Sequence, residues 1–117
     1  MKKENKINAK ELRIGNYVYT KEWVIKSYGI DGFVNIIKNI DNYRAIPLTE
    51  EWLVKFGFKF SGYNSNDKAI YKINDEIWIL KNIVTKKFYL TEYYREVKHL
   101  HQLQNLYFAL TGQELEI

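Results

Sequence analysis

The 117-residue chain is 46% hydrophobic and 27% charged, which excludes a disordered protein, and a single domain of this length buries a core unaided. It contains no cysteine, which excludes disulfides, thiolate metal sites and a cysteine nucleophile and fits an intracellular setting. No apolar run approaches the ~20 residues that span a bilayer, so no membrane partner is expected; a net charge of +4 permits an anionic partner without demanding one.

The basic start, Met1 to Lys6, leads into no apolar segment of the signal-peptide kind. Residues 1–9 read as a flexible lead. Leu12-Arg13-Ile14-Gly15-Asn16-Tyr17-Val18-Tyr19 opens the ordered structure, with Gly15-Asn16 as a turn or bulge before a strand. Glu22 to Tyr28 has the β-branched and aromatic density of a second strand. Gly29-Ile30-Asp31-Gly32 reads as a turn, and Phe33 to Ile37 as the returning strand. This opening is analogous to that of SH3-like barrels.

A short helix follows over about residues 49–56. Thr49 caps its start, Glu50 and Glu51 occupy the dipole-favoured first turn, and Gly57 stands where a left-handed cap is wanted. Trp52, Leu53 and Phe56 supply its buried stripe. From Phe58 the period shortens towards two, with strand pieces at Phe58–Phe60, Ala69–Ile73, Ile77–Leu80, Phe88–Leu90 and Tyr93–Val97. Their short loops fit an antiparallel meander and leave no room for helical crossovers. A closing helix over about 99–111 carries Leu100, Leu103, Tyr107 and Leu110 in one stripe and ends at Gly112. The expected fold is α+β, in one domain. A curved antiparallel β-sheet or partly open SH3-like barrel carries the middle helix and the C-terminal helix.

Nineteen aromatic residues, ten of them Tyr, suit half-buried sites in small sheets and binding surfaces. Signals for catalysis are weak. His99 and His101 point roughly 200° apart on a helix and cannot share a metal there. Ser27, Ser61 and Ser65 lack a nucleophile-elbow setting. Glu50 and Glu51 diverge as helix neighbours, and no Gly-rich phosphate loop is present. Neither an enzyme nor a cofactor is expected.

Two binding patches stand out. On the closing helix His101, Gln102 and Asn105 form a neutral polar patch. It serves either to satisfy an adjacent loop or to recognise a ligand or partner by amide hydrogen bonds. The first of these roles has Gln102 and Asn105 bonded to neighbouring backbone. In the meander, Lys81, Lys86 and Lys87 flank Trp78, Phe88 and Tyr89. That interleaving suits either base stacking with phosphate pairing or a solvated, aggregation-resistant edge.

Three stretches together resemble a family of small uncharacterised proteins encoded by phages, prophages and mobile elements of gut-type bacteria. They are Glu11 to Val18 (ELRIGNYV), Ile46 to Phe58 (IPLTEEWLVKFGF) and His101 to Leu115 (HQLQNLYFALTGQEL). The family pattern often has Tyr-Val or Tyr-Leu before the last motif, where this chain has His99-Leu100. The resemblance implies a common origin and fold rather than a mechanism, and a place in the cytoplasm of the bacterial host is expected. The expected function is non-catalytic binding to a host defence or regulatory component. It would act by sequestering an anionic nucleotide-like ligand or by binding a host protein. A nucleic-acid-binding module using Trp78, Tyr89 and the nearby lysines is the alternative. Oligomeric state is left open.

Overall fold

Pro47 is followed by the most strongly punctuated stretch of the chain, and it forms the short helix that its residues specify. In the computed structural model, which describes residues 5–20, 24–26, 29–90 and 95–115, this helix spans Glu50–Lys55. The Trp52 N–H donates to Thr49 Oγ1 at 3.4 Å. At the other end Gly57 has φ +98°, the Phe58 N–H donates to the Leu53 carbonyl and the Gly57 N–H to that of Val54. These are the two bonds of a Schellman cap. The chain divides into two units, one of residues 1–47 with 99–115 and one built around residues 48–98.

In the first unit, strands β1 (Tyr17–Tyr19) and β2 (Val24–Lys26) form an antiparallel pair. The expected hairpin strand at Phe33–Ile37 is instead helix α1, Gly29–Lys38. The reason lies in spacing. Phe33, Ile36, Ile37 and Ile40 fall at i, i+3, i+4 and i+7, a helical stripe that outweighs their β-branched character. That stripe packs on Ile7, Leu12, Val18 and Ala45. Residues 5–9 are correspondingly no loose lead: Ile7 is buried in this core and the Asn5 carbonyl accepts from the Ala45 N–H at 2.7 Å. Residues 1–4 lie outside the described residues, as do Ser27, Tyr28, Tyr93 and Tyr94. The closing helix of this unit, Leu100–Thr111, ends on Gly112 at φ +72°.

The second unit places the Glu50–Lys55 helix, α2, before five strands. These are β3 (Lys59–Tyr63), β4 (Lys68–Lys72), β5 (Trp78–Asn82), β6 (Phe88–Leu90) and β7 (Arg95–Glu96). They run antiparallel in sequence order as an open sheet with β3 and β7 at its edges, so the partly open barrel is not formed. The closing helix of the first unit is α3. One sheet face, carrying Ala69, Tyr71, Ile79, Phe88 and Leu90, is buried with Trp52 and Leu53 of α2 and with Phe56 at its C-cap. The Leu48 N–H donates to the Lys98 carbonyl and ties the two ends of this unit together.

Candidate functional site

The first expected patch, on α3, is consumed by internal pairing. Its buried residues are Leu100, His101, Leu103 and Gln104, so the stripe lies further round the helix than the leucine spacing indicates, and Leu110 is exposed. Gln104 is fully buried and behaves like a strand residue: its Nε2 donates to the Gly15 carbonyl at 3.0 Å, and its Oε1 accepts from the Tyr17 N–H at 2.9 Å. Asn105 donates to the Glu11 carbonyl at 2.5 Å and accepts from Arg13 Nε and Asn16 Nδ2. Arg13 goes on to pair with Glu114 at 2.9 Å and lies 4.5 Å over the Phe108 ring. Gly15 takes φ +97°, which aims its carbonyl at Gln104 in a conformation that other residues rarely hold.

Gln102 Oε1 accepts from the His99 N–H at 3.1 Å, bracing the start of its own helix, so Gln102 and Asn105 both meet backbone as expected. His101 is 1% exposed. Burial pushes its pKa down, opposed by Glu11 at 3.4 Å, and its Nδ1 finds no partner among the described residues. The Leu12-to-Asn16 loop and the His101-to-Asn105 segment are therefore two halves of one interlock. Arg13, Asn16 and Gln104 carry it, and sequence reasoning did not single them out. For Gln104 the signal was present: positions 100, 103 and 104 make a helical face.

In the second unit, strand register separates the expected cluster. Side chains alternate across a sheet. Trp78 and Tyr89 therefore occupy one face and Lys81 the other, opposite Ala69 and Phe88. Lys81 turns towards α2, where it forms an ion pair with Glu50. Lys86, at φ +63° in the β5–β6 turn, lines the same recess as Lys81 and Glu50. Lys87 is exposed at the return into β6. The lysines that do meet the two rings are Lys72, with Nζ 3.9 Å from the Trp78 centroid, and Lys68, 6.0 Å from that of Tyr89.

Comparison with protein-family models, with curated proteins and with solved structures returns no match. The chemistry of the chain therefore rests on its own geometry.

An open groove of about 690 Å³ lies between α2 and β3–β4. Its walls are Val54, Phe60, Tyr63 and Tyr71, and Glu50, Glu51 and Lys55 stand along it. A bulge creates this aromatic wall. Phe60 pairs with Tyr71 and Tyr63 with Ala69, so one extra residue intervenes on β3. Three positions apart, Phe60 and Tyr63 would face opposite ways in a regular strand. The bulge, with Gly62 at φ +95°, turns both to the same side. Their rings meet edge to face at 5.4 Å, and Phe60 lies 5.7 Å from Tyr71. Tyr71 is 5% exposed; burial, then the hydrogen bond to the Glu50 carboxylate, pushes its pKa up to about 12. Hydrogen bonds from Lys81 and then Tyr71 hold Glu50 below the usual carboxylate range.

Proposed function

We propose that the chain is a non-catalytic binding protein whose groove beside α2 receives an apolar or aromatic side chain of a partner protein, with a cation next to it. The observation that carries this reading is the exposure of the groove's walls. Val54, Phe60 and Tyr63 are 61%, 52% and 63% exposed and share one concavity. Covering apolar surface contributes about 25 cal/mol per Å², and an exposed apolar cleft with a few convergent polar groups is the usual form of a binding site. Glu51 makes no ion pair among the described residues and offers the groove's free negative charge, which suits a lysine or arginine on the partner.

The groove's titratable groups argue against proton transfer. Glu50 is held ionised, and Tyr71 is held neutral, each further from neutrality than usual, whereas general acid–base groups work best with a pKa near the operating pH. The partner class proposed is a defence or regulatory protein of the host, the resemblance to phage and mobile-element proteins bearing on origin and fold alone.

A displayed library of short random peptides tests the reading. Selection on the wild type should enrich an aromatic or aliphatic residue beside Lys or Arg. The double variant Phe60→Ser with Tyr63→Ser alters exposed side chains only and should lose those peptides. Absence of enrichment, or equal capture by the double variant, would refute the reading.

A further inference from the structure

We propose that the sheet face opposite α2 binds single-stranded nucleic acid, with its lysines on phosphates and its rings under bases. This site lies apart from the groove and does not depend on it. Register sets Lys59, Lys72 and Trp78 in one row across β3, β4 and β5. Two positions along, Ile70, Leu80, Tyr89 and Glu96 form the next row, and beyond it Lys68 faces Asn82. Alternation thus collects three lysines and two aromatic rings on one side.

Two features of this face point to a ligand. Lys59 and Lys72 stand directly opposite each other, an arrangement that like charges make unfavourable in a sheet. A phosphate between them removes that repulsion. Trp78 and Tyr89 are only part-buried, and each has an ammonium on a long stem as its cover. Such a stem can swing to a phosphate while a base takes its place on the ring, since aromatic faces hold bases and cations alike. The rows carry a single carboxylate, Glu96, opposite Tyr89 at the far edge. An acidic peptide would neutralise the lysines yet leave both rings unused, so a strand of phosphates and bases is the better match.

Fluorescence anisotropy of the full chain with a labelled oligothymidylate, read over a range of salt, tests the assignment. Binding at low salt should weaken steeply as salt rises. Lys68→Ala and Lys72→Ala should each reduce the slope of log K against log salt by about 0.7, one single-strand phosphate. Trp78→Leu should weaken binding about 5-fold or more at unchanged slope, the loss of one stacked base. If that variant does not fold, Tyr89→Leu gives the same reading. Lys38→Ala, on α1, and the Phe60→Ser, Tyr63→Ser variant should bind as the wild type does. Three results would each overturn the proposal. They are no binding at low salt, an equal loss from Lys38→Ala, and displacement by polyglutamate as effective as by unlabelled oligonucleotide.

Discussion

Replacing Gln104 by methionine removes an amide while nearly conserving volume, and so isolates the energetics of the α3 interlock. The substitution leaves the Tyr17 N–H and the Gly15 carbonyl without the partners they have at 2.9 and 3.0 Å. It also removes one acceptor of Asn16, itself fully buried. A hydrogen bond of this kind contributes about 0.5–1.5 kcal/mol net. Two such bonds to part-buried backbone groups give an expected loss of about 1–3 kcal/mol, a large fraction of a small protein's stability. Urea unfolding followed by circular dichroism reads this directly as a lower midpoint with the slope m unchanged. A loss below about 1 kcal/mol would show that the loop finds other partners and that the interlock is not what holds it.

Further expectations concern titration and backbone. Because burial lowers the pKa of His101, the unfolded chain takes up a proton from about pH 6.5 downwards while the folded one does not. Its contribution is therefore complete above that pH and is lost as pH falls towards the folded value. His101→Leu should flatten this acid slope and change stability at pH 7.5 by under about 1 kcal/mol, since Nδ1 has no partner to lose and the hydrogen bond lost is the long one from Nε2 to the exposed Glu11 carboxylate. Tyrosine absorbance should show Tyr71 ionising near 12, and Glu50→Gln should bring it down part of the way towards 10. Stability linked to Tyr71 is complete below pH 10 and is lost as pH rises through about 12. Gly62→Ala, at φ +95°, should cost about 1–3 kcal/mol in thermal unfolding; a neutral outcome would mean the bulge relaxes, and peptide capture by the groove would fall with it.

How far the fold was legible depended on whether the decisive physics was local. Thr49, the two glutamates, Lys55 and Gly57 specify α2 within nine residues, and the helix forms where they place it. The stretch at 29–38 misleads because β-branched residues and a glycine pair suggest a hairpin, while the stripe of Phe33, Ile36, Ile37 and Ile40 that decides the matter is helical in period. In the sheet, the division of Trp78 from Lys81 follows from parity, three positions apart on one strand. The partners Lys68 and Lys72 do not, since they depend on register between strands. Phe60 and Tyr63 come together only through a bulge, and the lone sign of it in the sequence is Gly62 inside a strand pattern.

The interlock also orders events in time. Gln104 and Asn105 meet residues 11–17 across about ninety positions of chain, whereas the second unit is nearly continuous in sequence and has its ends joined at Leu48 and Lys98. During synthesis the segment made first waits for one made almost last, and the unit between them is free to fold in the interval. Until α3 emerges, the Gly15 carbonyl and the Tyr17 N–H lack the Gln104 amide that they meet in the folded chain. A chain truncated before residue 100 would thus keep every residue of the five strands β3 to β7 yet lack the amide that Gly15 and Tyr17 meet.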